Sequence, residues 1–247
     1  MGLELEPRGA WHLGSILGGM PELGRWGDQA AHARRALIWG TGDVYDAAST
    51  VAAFAAHRGA SVTVVDGANA FDPYMVSRYA VRCGLDPAEV LRRVQIARAF
   101  TCYQLATLLC ERLVAAPQGE PALVVLLGPC TTFFDENVPL KDAHLLFQRM
   151  LRRMGELSAS GLLLFMAQSL HPMNRRRGHL LRSLFRSADV ALELRAHDAE
   201  GRGEREMAWK NVQAVLPEMQ VDGRRVGILR SDGVVEGRRY GANRHSI

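Results

Sequence analysis

The sequence predicts an α/β domain: a mostly parallel twisted sheet flanked by helices, with a β-rich C-terminal end. Three observations carry that expectation. Apolar runs of strand length recur at 36–39, 61–65, 94–97, 122–127 and 162–167, and the segments between them carry apolar residues at helical spacing with start and stop signals. Beyond residue 190 the pattern changes to strand-like runs at 190–194, 207–216 and 225–230, with turns at Gly201-Arg202-Gly203, Asp222-Gly223 and Ser231-Asp232-Gly233. The chain has 247 residues, 48% hydrophobic and 23% charged, which suits one such domain with a sizeable core and argues against disorder.

Residues 1–35 are glycine-rich, with Leu13-Gly14-Ser15-Ile16-Leu17-Gly18-Gly19-Met20-Pro21 followed by a polar stretch from Asp28 to Arg35. They read as an N-terminal segment packing on the edge of a single core domain at 36–247. That core opens with Ala36-Leu37-Ile38-Trp39-Gly40-Thr41-Gly42-Asp43, a helix to Gly59, and Ser61-Val62-Thr63-Val64-Val65-Asp66. An apolar run ending at glycine, small residues that let a helix start at once, and a β-branched run ending at an acid are what a buried parallel βαβ unit requires. This is the frame of a mononucleotide-binding fold. Asp72-Pro73 supplies an N-cap and N1 proline for a helix closed by Cys83-Gly84, and Asp86-Pro87 starts a shorter one. A helix at 101–115, an extended connection from Gly128 to Asn137, and a long amphipathic helix at about 141–158 come next. The strands at 36–39 and 122–127 are expected as neighbours in the sheet, and the three C-terminal strands as an antiparallel extension.

The glycine turn lacks the usual phosphate chemistry. A loop of the form G-x-x-x-x-G-K-[ST] holds phosphates with backbone N–H groups and a lysine, and magnesium with the hydroxyl. Counted from Gly40, the last three positions are Tyr45, Asp46 and Ala47; counted from Gly42, they are Ala47, Ala48 and Ser49. One hydroxyl survives in the second register, and the lysine in neither. A carboxylate at Asp46 repels phosphate, by about 1 to 4 kcal/mol at 4 Å between bulk water and a protein surface.

Composition narrows the remaining classes. The net charge of +4 permits nucleic-acid contact without demanding it, and lysine occurs only at Lys141 and Lys210. Cys83, Cys102, Cys110 and Cys130 show no C-x-x-C spacing and fall on apolar stretches, which predicts buried free thiols rather than zinc or disulfides, as in a reducing cytoplasm. The N-terminus has no basic region followed by an apolar stretch, and no later run reaches the length of a membrane span. A cytoplasmic protein without a membrane partner is the expectation. Asp43 with Asp46, and Asp135 with Glu136, read as loop-solubilising pairs rather than acid–base pairs, and His171 and His179 lack a third metal ligand.

In this order, the chain from about Leu13 to Val234 resembles the ATPase core of the RecA/RadA recombinase family, a P-loop NTPase fold. Leu13 to Pro21 is similar to the segment before that family's phosphate loop. Val65-Asp66-Gly67-Ala68-Asn69-Ala70-Phe71-Asp72-Pro73 resembles its "IDTE-x-x-F-x-P" stretch, Ile96 to Thr101 its "R-A-F-N" strand exit, and Phe165-Met166-Ala167-Gln168 its "T-N-Q" strand end. The departures fall on catalysis. The resemblance sets the phosphate-loop lysine and hydroxyl on Asp46 and Ala47, the catalytic glutamate on Ala68, and the magnesium-positioning aspartate on Gly128. Only Gln168, at the γ-phosphate sensing position, is retained, and it reads equally as a strand-end residue satisfying backbone groups. Phosphoryl transfer depends on positioning and electrostatic stabilisation, so losing three of those parts leaves little to accelerate it. The resemblance therefore implies a pseudo-ATPase without cofactor.

The connection after Gln168 corresponds to the family's second DNA-binding loop. His171, Arg175, Arg176, Arg177 and His179 give it the charge to meet a phosphate backbone. Three functions stand as expectations. The first is a catalytically degenerate accessory in DNA recombination or repair that binds single-stranded DNA, a related RecA-like recombinase, or its own copies. The second is a DNA-dependent ATPase that binds ATP and magnesium through an unusual phosphate site. The third is a structural or regulatory protein-binding partner without a nucleic-acid role.

Overall fold

Buried apolar runs form the central strands and alternate their side chains between two cores; the run at 94–97, expected as a core strand, is instead the sheet's edge strand, with no residue fully buried. The computed structural model describes residues 11–20, 27, 30–40, 43–113, 121–170, 177–195, 208–209 and 227–229. In chain order these give α1 (Leu13–Gly18), β1 (Arg35–Gly40), α2 (Val44–His57), β2 (Ser61–Asp66), α3 (Pro73–Arg82), α4 (Pro87–Leu91), β3 (Val94–Arg98) and α5 (Cys102–Thr107). Then come a π-helical turn (Leu108–Arg112), β4 (Ala122–Leu127), a 3-10 turn (Thr131–Phe134), α6 (Leu140–Ala159), β5 (Leu163–Ser169), α7 (Gly178–Ser187), β6 (Val190–Arg195), β7 (Ala208–Trp209) and β8 (Gly227–Leu229).

The sheet runs β3-β2-β4-β5-β1-β6-β7. Its first six strands are parallel. Right-handed crossovers dictate the layers. From β1 the chain moves towards β3 with α2, α3 and α4 on one face, then returns with α5, α6 and α7 on the other. In β1, Ala36 and Ile38 join the first core and Leu37 and Trp39 the second. Helix α2 is lined on its buried side by Ala48, Ala52, Ala53, Ala55 and Ala56. These small side chains let it lie close over β4 and β5, the two strands it must cross to reach β2.

That crossover corrects one expectation. The strands at 36–39 and 122–127 share the sheet but are not neighbours, because β5 stands between them: Phe165 is in register with Ala36 on one side and Val125 on the other. The run Leu163 to Ala167 is buried on both faces, as a central strand requires. A second correction concerns the C-terminal end. β6 itself belongs to the parallel block, in register beside β1, and β8 pairs with β6 in parallel; only β7 pairs antiparallel, as expected, among the described residues. The rest of the 207–216 and 225–230 runs lies outside the described residues.

The start signals hold. The carboxylates of Asp72 and Asp86 cap α3 and α4 by accepting from the N–H groups of Tyr74 and Ala88, each at 2.9 Å, with proline in the first turn of each helix. The helix expected at 101–115 divides into α5 and the π-helical turn, and the connection after Gly128 contains the 3-10 turn rather than a wholly extended chain. The N-terminal segment does more than pack on an edge: Leu13, Ile16 and Leu17 of α1 are buried in the first core. A Cβ at Gly14 would lie 2.2 Å from the carbonyl oxygen of Gly27, so the glycines there permit backbone-to-backbone packing. No described helix is long and apolar enough to cross a membrane.

Candidate functional site

Parallel sheets bind ligands outside the carboxyl ends of their strands. At that end β1 stops at Gly40, whose φ is +146°; a Cβ there would lie 1.8 Å from the carbonyl oxygen of Leu194 in β6, so only glycine fits. Helix α2 begins at Val44, four positions on. Tyr45, Asp46 and Ala47 are therefore already helical, and the Ala47 N–H donates to the Asp43 carbonyl at 3.0 Å instead of facing a phosphate. Thr41 and Gly42 lie outside the described residues. Asp46 sits in the first turn, where a carboxylate favours the positive end of the helix dipole. Ser49, buried, donates its hydroxyl to the Tyr45 carbonyl at 2.8 Å. Its position inside α2 removes it from the role of magnesium ligand in the Gly42 register.

Around this turn the strand ends close into a polar knot. The Tyr45 hydroxyl accepts from the Ser169 N–H at 3.3 Å, with the Thr131 side chain close by. Burial raises the phenol pKa above its ordinary value, and these contacts offset only part of the rise. Gln168, 2% exposed, accepts the Cys130 N–H on Oε1 at 2.8 Å and donates Nε2 to the Ser169 carbonyl at 2.8 Å and to Thr131 Oγ1 at 3.4 Å. Its amide thus ties β5 to the 3-10 turn. Gly128, with φ +62°, packs against Ala68 so closely that a Cβ would meet Thr131 Oγ1 at 2.6 Å and the Ala68 Cβ at 2.7 Å. Gly128 and Ala68 are thus pressed together, with no room for a side chain at Gly128.

Asp66, fully buried, organises the adjacent loop. Its carboxylate accepts from the N–H groups of Ala68, Ala70 and Phe71 at 3.0–3.1 Å, and Arg98 Nε lies 3.6 Å away. Arg98 also donates to Asn69 Oδ1 and the Phe71 carbonyl. Sequence reasoning did not single out Tyr45 or Asp66 as organising residues; the Asp66-Gly67-Ala68-Asn69 run was the available signal, since such residues favour side-chain-to-backbone turns.

The basic connection after Gln168 divides. His171, Arg175 and Arg176 lie outside the described residues. Arg177 is 6% exposed and donates to the carbonyls of Phe133 and Val138, which corrects its assignment as a DNA contact: its guanidinium clamps the 3-10 turn and the loop leading into α6. The His179 ring lies tilted at 41° against that of His144 of α6, with centroids 5.6 Å apart. Asp135 accepts from the backbone and side chain of Asn137. The thiols also divide. Cys102 and Cys130 are buried, and burial pushes Cys130 far above the usual thiol range, but Cys83 is exposed and Cys110 half-buried. No group of three or more His, Cys, Asp or Glu arranged for a metal occurs among the described residues.

A cleft of about 430 Å³ lies at the opposite end of the sheet, lined by Ala56, His57, Leu85, Glu89, Val90, Arg92 and Arg93. It is remote from the carboxyl ends of the strands, where the convergent polar groups lie and where parallel sheets bind their ligands. No protein-family model matches the chain, and no curated protein matches it.

Proposed function

We propose that the protein is a catalytically degenerate RecA-like core that assists DNA recombination or repair by binding single-stranded DNA, an active recombinase, or both. The observation that carries this reading is the strand order. β5, which bears Gln168, lies between β1, which ends at Gly40, and β4, which ends just before Gly128. The three places where the resemblance sets a phosphate loop, a γ-phosphate sensor and a magnesium aspartate therefore stand side by side. Doubly wound dinucleotide folds instead keep the first two strands adjacent, whereas two strands intervene here. In those places stand a helix start without a lysine and with Asp46 in its first turn, a glutamine engaged with backbone groups, and a glycine without room for a side chain.

The expected outcome is no magnesium-dependent ATP hydrolysis above background. Turnover in the wild type that Gln168→Ala abolishes would overturn the pseudo-ATPase reading. Single-strand binding is measured by fluorescence anisotropy against salt. Because Arg177 is structural, the informative loop variant is Arg175→Ala with Arg176→Ala. It should flatten the dependence of log affinity on log salt by about 1.4, at roughly 0.7 per phosphate contact.

One observation favours the protein-binding reading beside it. Among the described residues β3 is an edge strand without a covering element, and Ile96, Phe100 and Tyr103 on and after it are 41%, 68% and 50% exposed. Its sequence, Val94-Gln95-Ile96-Ala97-Arg98, carries no proline or lysine to blunt the edge. Edge pairing with a related core or a second copy is the corresponding interaction.

A further inference from the structure

We propose that the solvent faces of α6 and α7 form a docking surface for the phosphate backbone of duplex DNA, separate from the loop at 171–176. The inference extends the nucleic-acid reading above to a second surface and a second ligand.

Helix α6 buries Ala143, Phe147, Met150 and Met154, which turns Lys141, Leu145, Gln148 and Arg152 outward. Helix α7 buries Leu180, Leu181, Leu184 and Phe185, which turns His179, Arg182, Ser183 and Arg186 outward. Lys141, His144, Arg152, Arg182 and Arg186 are exposed. Both helices return the chain from the carboxyl ends of parallel strands, so they run in the same direction, and the His144–His179 contact aligns their first turns. Counting along each helix from that contact places Arg152 and Arg186 level, about 11 Å further on. The cations thus stand in two rows, roughly 8–10 Å apart as packed helices are.

Charge is segregated around these rows. On the side of α6 towards α5, Arg149 pairs with Glu111 and Arg153 with Glu156, each at 3.2 Å. Lys141, Arg152, Arg182 and Arg186 have no ion-pair partner among the described residues. Of the acids near the rows, Glu156 is paired with Arg153 and Asp189 with Arg35, while Asp135 accepts only from the neutral Asn137 and keeps its charge. Asp142 sits in the first turn of α6, where the positive end of the helix dipole offsets its charge. Arg182 and Arg186, one helical turn apart, repel each other without internal compensation. An external polyanion supplies it.

The same face selects the polyanion. Single strands bind on aromatic platforms, and the exposed aromatic side chains Tyr74, Phe100 and Tyr103 belong to α3 and the start of α5, not to these rows. Two rows of cations without an exposed Phe, Tyr or Trp suit a ligand that presents two phosphate strands and whose bases are already stacked.

The test is anisotropy of a labelled short duplex and of one of its strands, from about 50 to 200 mM salt. It compares wild type, the loop variant Arg175→Ala/Arg176→Ala, and the helix variant Lys141→Gln/Arg152→Gln/Arg182→Gln/Arg186→Gln. All four helix positions are exposed, and circular dichroism checks that the fold is kept. Four duplex contacts at about 0.9 each predict an affinity roughly 150-fold weaker at the upper salt than at the lower. The helix variant should lose most duplex binding and nearly all of that slope while keeping wild-type affinity for the single strand. Wild-type duplex affinity and slope in the helix variant would overturn the proposal, as would no duplex binding by wild type at low salt. Binding to anionic phospholipid vesicles or polyglutamate that the helix variant abolishes, with no binding to the duplex, would overturn it in favour of another partner. The single-strand arm reports separately on the reading above.

Discussion

At the scale of single residues, Gln168 and Gly128 show how a position can look catalytic in a sequence and serve structure. Gln168 Oε1 is the acceptor for the buried Cys130 N–H, and its Nε2 reaches both Ser169 and Thr131. Gln168→Ala leaves that N–H without a partner inside the protein, so it should destabilise by about 1–3 kcal/mol in urea unfolding. A silent substitution would mean the amide is dispensable. Gly128→Asp, which restores an acid where the resemblance sets one, should not create activity. Its backbone is in the left-handed region, and its Cβ would fall 2.6 Å from Thr131 Oγ1. The expected result is a loss of about 1–3 kcal/mol or more, read as a lower thermal midpoint.

Among elements, the ends of β1 and β6 are joined by charge as well as by the ladder. The Asp189 carboxylate accepts from the backbone N–H groups of Arg34 and Arg35 and pairs with the Arg35 guanidinium at 2.7 Å. Burial alone would raise its pKa; the hydrogen bonds and the positive charge of Arg35 outweigh that and hold it below the usual carboxylate value. With the folded pKa below an unfolded value near 3.9, the stabilisation is present above about pH 4 and lost as pH falls through the folded value. Carboxyl NMR should follow Asp189 to a low midpoint. Asp189→Asn should lower stability at pH 7 and reduce the difference between pH 7 and pH 3; an unchanged difference would remove Asp189 as a source of acid lability.

For the whole molecule, the edge at β3 is left unpaired by the described residues. The other side of the parallel block is continued by β7 and β8 beyond β6, but among the described residues β3 has only β2 beside it. Ile96→Lys places a charge on an exposed edge position. It should weaken self-association or recombinase capture by about tenfold or more, at roughly 1.4 kcal/mol per decade, with little change in unfolding midpoint. Gel filtration and crosslinking across concentration check this. A strict monomer in the wild type that captures no recombinase would remove the edge as a contact surface.

The strands, the buried character of all but the run at 94–97, and most helix starts were legible in the sequence because they depend on local chemistry. Apolar runs ending at Gly40, Asp66, Leu127 and Ser169 specify buried strands, and Asp72-Pro73 and Asp86-Pro87 cap their helices through atoms two residues away. The chain alone also showed that neither register of the glycine turn holds a lysine. It did not contain the order of the strands, since a crossover such as α2 is long enough to skip two neighbours as readily as none, and β5 takes the centre through contacts with both β1 and β4. Nor could it separate the arginines of one basic run. Arg177 is buried because the carbonyls of Phe133 and Val138, some forty positions away, require a donor, while Arg182 and Arg186 are exposed because the opposite side of their helix fills the core. Tertiary structure decided those roles, since the partner of a charged group is set by what the fold brings beside it.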